Sequence, residues 1–178
     1  VNIQRVTLTT DFDLDLDKIW KTIDVTTKVI FLCSPNNPTG NLLNNDKVKE
    51  ILHKFRGLVV IDEAYIDFTS SKSFAEALDE YPNLIVLQTF SKAWGLAGLR
   101  LGMAFASRDI INILNKIKYP YNVNIQTQDL ALKTLAFQRQ KEQWVIEIIE
   151  QRKRMETELS MLPITKKVYH SDSNFLLV

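Results

Sequence analysis

The stretch LIVLQTFSKAWGLAGLRLGMAFAS, residues 84–107, decides how this chain folds. LIVLQTF is apolar without alternation, which suits a strand buried on both faces. SKAWGLAG interrupts that run with small residues and glycines, and LRLGMAFAS resumes it as a second strand. Lys92 stands where the first strand ends, close behind the hydroxyls of Thr89 and Ser91, with Arg100 eight residues further on. A lone amine in a loop that otherwise looks bound for the interior raises the question of what it does there.

Two more apolar runs precede this one. KVIFLCS (28–34) ends in the turn-rich SPNNPTGN, and Gly57 opens LVVIDEAYIDF, a β-branched run that ends in acid and tyrosine. Between them, NNDKVKEILHKF (44–55) places Val48, Ile51, Leu52 and Phe55 at helical spacing behind Asn44 or Asn45 as N-cap. SFAEALDEY (73–81) reads as a short helix closed by Pro82. Further helices are expected over about 107–118, 124–137 and 138–161, and two short strands after Pro163. Doubly buried strands alternating with helices predict an α/β fold: a three-layer α/β/α domain on a mostly parallel sheet, followed by the start of a small α+β domain. The long last helix puts the expected boundary near residue 145, giving domains 1–145 and 146–178. The charged tract EQRKRMETE (150–158) reads as a solvated face with i,i+4 pairs. The first residues look like the middle of a sheet region and SNFLLV like an unfinished strand, so a longer parent protein is expected.

Bulk properties narrow the function. The chain has 178 residues, 46% hydrophobic and 24% charged, with a net charge of +1. That balance gives no basis for a nucleic-acid or anionic-membrane partner, and no apolar run approaches a membrane span. VNIQRVTLTT lacks the layout of a signal peptide. One cysteine, Cys33, excludes an internal disulfide framework and fits a reducing, cytoplasmic setting; it reads as a small buried apolar residue.

In a parallel sheet the polar clusters SPNNPTG, DEAY and TFSK all fall outside the carboxyl ends of strands, where ligands bind in open α/β sheets. Together they offer an amide (Asn37), a carboxylate (Asp62), a phenol (Tyr65), an amine (Lys92), two hydroxyls (Thr89, Ser91) and a guanidinium (Arg100). Pyridoxal phosphate needs such a set. Its aldehyde condenses with a lysine amine, its ring nitrogen needs an acidic partner to act as an electron sink, and its phosphate takes arginine and hydroxyl donors. The other reading of an apolar strand ending in Asp-Glu, a nucleotide-binding Mg site, requires a G-x-x-x-x-G-K-[ST] loop that this chain lacks.

SPNNPTG, VVIDEAYIDF and TFSKAWGLAGLRLG resemble the three signature blocks of the fold-type I, aspartate-aminotransferase-like pyridoxal-phosphate enzymes. TTDFDLDLDKI and SNFLLV extend the resemblance over nearly the whole chain, most nearly toward the histidinol-phosphate aminotransferases. The resemblance implies that Lys92 carries the cofactor as a Schiff base and then acts as acid and base. It implies that Asp62 pairs with the pyridinium nitrogen and that Asn37 and Tyr65 bond the ring oxygen. Thr89, Ser91 and Arg100 would hold the phosphate. The implied reaction exchanges an amino group between glutamate and imidazole-acetol phosphate, yielding histidinol phosphate for histidine biosynthesis, in a cytoplasmic homodimer with small amino-acid and keto-acid substrates. The alternatives are a threonine-phosphate decarboxylase, an aromatic aminotransferase, or a catalytically incomplete piece of such an enzyme. The family's phosphate-capping helix, ring-stacking aromatic and substrate-binding arginine would lie outside these residues.

Other polar residues have plainer readings. Glu63 would point away from Asp62 and serve structure. Asn36 is either a turn former or a site residue. His53 and His170 read as surface or packing residues. Trp20, Trp94 and Trp144 read as core or interface anchors, with Trp94 placed to support the lysine loop.

Overall fold

A computed structural model describes residues 2–178. Its centre is a four-stranded sheet: β1 (Val29–Cys33), β2 (Leu58–Asp62), β3 (Leu84–Thr89) and β4 (Gly102–Ala106), in that spatial order. β1, β2 and β3 run parallel, and β4 returns antiparallel against β3. The lysine loop is therefore the short connection between antiparallel neighbours, which needs no crossover helix.

Parallel pairing aligns the strand ends. Cys33 pairs with Asp62, and Asp62 with Leu87. The ladder continues one step beyond, where Ser34 N donates to Asp62 O and Glu63 N to Leu87 O. All three polar clusters thus leave the sheet at one edge, as their positions in the sequence predict.

One face of the sheet carries Leu32, Val59, Ile61, Leu84 and Val86, packed against α1 (Leu16–Thr22) and α2 (Asn45–Lys54). α2 contributes Val48, Ile51 and Leu52, all buried, at the i, i+3, i+4 spacing of an amphipathic helix. It starts at Asn44, whose side chain accepts from the amides of Asp46 and Lys47. The opposite face carries Val60 and Ile85, both buried, and Phe31 on the edge strand, 72% exposed. After β4 come α3 (Arg108–Ile117), which packs back on that strand, α4 (Ile125–Leu135) and the long α5 (Gln138–Ser160).

Two expected elements take other forms. Within 73–81 only Phe74–Ala77 are helical, as a 3-10 turn. Glu63 takes the Phe74 amide and the Ser73 hydroxyl takes that of Ala75, and Pro82 follows too soon for an α-helix to repay nucleation. After Pro163 there are no strands. The segment stays irregular because its serines and aspartate engage backbone groups that a ladder would use, leaving only Tyr169 N to Leu177 O as a cross-segment bond. Two isolated strands would in any case be marginal. α5 runs unbroken through residue 145, where the domain boundary is expected.

Candidate active site at the strand ends

The first cluster is shaped by its own backbone. Asn36 donates to Thr39 Oγ1 at 2.7 Å, and its amide bonds Asn41 O, so Asn36 forms the turn. Gly40 adopts φ +82°, and a Cβ there would stand 2.6 Å from Ser171 Oγ. Only glycine accommodates both the left-handed backbone and that approach. The turn leaves Asn37 Nδ2 donating to the Tyr65 hydroxyl at 3.0 Å.

Tyr65 lies just past β2, before the 3-10 turn Ile66–Phe68, with its ring buried. The edge of its ring meets Phe175, centroids 5.3 Å apart and planes at 83°. Lys92 Nζ sits 4.9 Å from the Tyr65 ring centroid, within cation–π range. Among the described residues the Lys92 amine has no hydrogen-bond or salt-bridge partner, while its carbonyl accepts from the Gly95 amide. Its side chain is exposed, so the loop does not enclose the amine as the apolar sequence suggests. Trp94 does support the loop, stacked between Phe90 and Lys141, whose Nζ lies 5.3 Å from the indole.

Asp62 Oδ1 accepts from the Ala64 amide at 3.0 Å, and Oδ2 keeps its lone pairs among the described residues. Glu63 points the other way, as alternation demands. It is 1% exposed and accepts from Ser73 Oγ, from the Phe74 amide and from Gln88 Nε2. Burial pushes its carboxyl above the ordinary glutamate range, against those three donors. Cys33 is half-buried with its thiol directed at Pro35 O, and burial raises its pKa too. His53 meets Tyr81 edge-on and His170 lies beside Asp172, both at the surface, as expected.

Asn37, Tyr65 and Lys92 are thus brought together. The proposed phosphate group is less closely assembled. Thr89 Oγ1 donates to Leu101 O and accepts from the Ser91 amide, so it shapes the loop. Arg100, at φ +53°, bonds Ala97 O within its own turn and is exposed.

A cavity of about 610 Å³ opens beside Lys92, between the lysine loop, α5 and residues 174–176. Trp144, Ile148, Arg152 and Phe175 are among its walls. Arg152 and Phe175 were not singled out from the sequence. Arg152 lies inside the charged tract, yet it turns inward instead of joining the solvated face. Its spacing from Val145 and Ile149, which pack on the Tyr65 cluster, carries the signal: i+7 and i+3 share a helix face.

The family model described as Aminotransferase class I and II matches residues 1–178. The chain belongs to the class I and II aminotransferases. Among curated relatives, this aminotransferase chain is 56% identical over 178 residues to the histidinol-phosphate aminotransferase of Cytophaga hutchinsonii, covering all of this chain and 51% of the relative. The chain spans about half the length of the curated relatives it matches. Its fold superposes on the histidinol-phosphate aminotransferase of Clostridium acetobutylicum with TM-score 0.86 at 26% identity, over 95% of this chain and 52% of that one. The fold also matches the Sinorhizobium meliloti histidinol-phosphate aminotransferase, solved in complex with pyridoxal-5'-phosphate, with TM-score 0.82 at 24% identity, over 98% and 48% of the two chains. No helix among the described residues is long and apolar enough to cross a membrane.

Proposed function

We propose that this aminotransferase chain works in a pyridoxal-phosphate-dependent histidinol-phosphate transaminase, a step of histidine biosynthesis. The observation that carries the reading is the unpartnered Lys92 amine set over the Tyr65 ring, beside the Asn37–Tyr65 hydrogen bond. The donor set fits the cofactor. Tyr65 accepts from Asn37 and retains its own proton to give to a ring oxygen. Asp62 retains a carboxylate oxygen for a protonated ring nitrogen, and Lys92 an amine for an aldehyde.

When bound, pyridoxal phosphate supplies an electron sink for the charge left as a substrate C–H bond breaks. Asp62 holds the ring nitrogen in its protonated form. Asn37 and Tyr65 orient the ring from its oxygen side. Lys92 would hold the cofactor aldehyde and would move a proton at Nζ. Thr89, Ser91 and Arg100 would hold the phosphate. The names of the relatives support histidinol phosphate as amino donor or product; the proposed partners in the exchange are imidazole-acetol phosphate, glutamate and 2-oxoglutarate. In the same reading residues 1–145 belong to the cofactor-binding domain and 146–178 open a smaller one. The enzyme is a cytoplasmic homodimer.

Incubation with pyridoxal phosphate, borohydride reduction and peptide mapping tests the reading. The label should fall on Lys92 and vanish in Lys92→Ala; label elsewhere, or undiminished in the variant, overturns it. Product analysis of the longest native form with histidinol phosphate against threonine phosphate tests the substrate.

A further inference from the structure

The ring of Tyr65 is held from two sides by segments far apart in sequence. On one side the chain continues from Tyr65 into the turn Ile66–Phe68. On the other, Phe175 presents its ring at 5.3 Å. A single guanidinium touches both segments. Arg152 Nη1 donates to Phe68 O at 3.3 Å and to Ser173 O in a shorter contact. Phe68 lies three residues after Tyr65, and Ser173 two before Phe175. Residues 171–173 are themselves anchored to the first cluster. The Asp172 amide donates to Gly40 O at 2.7 Å, and Asp172 Oδ2 accepts from the Leu42 amide at 2.9 Å. Asn37, the hydroxyl partner of Tyr65, belongs to that same loop.

We propose that Arg152 is a positioning residue: by tying Phe68 O to Ser173 O it clamps Phe175 against Tyr65 and fixes the phenol that faces Asn37 and Lys92. The proposal rests on the cofactor reading above for its functional meaning, but the clamp itself is a property of the chain alone. An arginine suits the task because the two hydrogens of Nη1, fixed in the guanidinium plane, can each serve a carbonyl, and the group stays charged when half-buried. A lysine ammonium has hydrogens enough for both carbonyls, but it has no plane to fix their directions, so it holds them less firmly.

The test uses the chain labelled with fluorotyrosine, with the Tyr65 ¹⁹F resonance assigned by its loss in Tyr65→Phe. Tyr119 and Tyr121, 84% and 95% exposed, mark the solvent-exposed position in the same spectrum. Arg152→Met should move the Tyr65 resonance toward those two, without any cofactor present. Phe175→Leu, which leaves the guanidinium bonds in place, should move it in the same direction, and Arg152→Lys less far. Asn44→Ala, a helix-cap loss remote from the site, supplies the control for general destabilisation and should leave the resonance where it is. In the loaded protein, Arg152→Met should weaken pyridoxal-phosphate binding about tenfold, the scale of one lost charge-assisted hydrogen bond. A folded Arg152→Met whose Tyr65 resonance moves no more than that of Asn44→Ala overturns the clamp. If Arg152→Met does not fold, Arg152→Lys and Phe175→Leu decide by the same criterion. Absence of cofactor binding in the unaltered chain would count against the proposed function and leave the fluorine result standing.

Discussion

Glu63 shows how a residue beside the site can matter without entering it. Its carboxylate collects a hydroxyl, a backbone amide and a side-chain amide. Glu63→Ala would strand the buried Phe74 amide and leave Ser73 and Gln88 with only each other, and a loss of roughly 2–3 kcal/mol is expected in urea unfolding. The pH dependence carries a definite sign. Burial raises the carboxyl in the folded state, so its contribution is fullest below about pH 4.3, the unfolded value, and falls as pH rises through the folded one. Relative to Glu63→Gln, the unaltered chain should therefore lose stability as pH rises above about 4.3 and through the raised folded value; a constant difference in unfolding midpoint would refute this. Gly40→Ala should cost about 2 kcal/mol, since strained backbone and a blocked Cβ coincide there. Glu63's inward aim was legible from strand alternation alone. Arg152 was not, because a charged residue amid charged neighbours looks solvated until the carbonyls it serves, one of them 84 residues earlier in the chain, are brought to it.

At the scale of elements, α2 was legible to within a residue because its apolar stripe and its cap agree. Ile51→Ala, at a fully buried position, should cost about 3–4 kcal/mol. Asn44→Ala should cost about 1 kcal/mol by leaving helix amides without a partner. Both are readable as shifts in denaturant midpoint with unchanged slope. The four strands of the sheet were equally clear, since apolar runs bounded by turn residues have few other uses in a chain this short. Residues 73–81 and 164–178 were harder for a shared reason. Each carries polar side chains that bond the local backbone, and such bonds compete with regular structure in ways that periodicity does not register.

Across the whole molecule, the sheet has an exposed flank. β1 lies at its edge with Phe31 and Val29 toward solvent, and the region 113–137 presents Ile113, Ile117, Ile125, Leu132 and Phe137. An open edge at β1 and apolar surface of that extent beyond β4 both favour association. The purified chain should sediment as a concentration-dependent mixture, and Phe31→Lys should shift it toward monomer. Acid should act through Asp13. Burial opposes its ionisation, but the Asn44 amide and Lys47 outweigh that and hold its carboxyl below the usual range. The stability it adds is complete above about pH 3.9 and disappears as pH falls through the lowered folded value.

The bond from the Leu42 amide to Asp172 spans 130 residues. On a ribosome, the loop that carries Asn37 emerges early and cannot be completed until residue 172 has been made and has left the exit tunnel. The sheet and α2 can mature before then. The loop around Asn37 is consequently completed only after residue 172 has left the tunnel, and its ordering would report that these two distant segments have met.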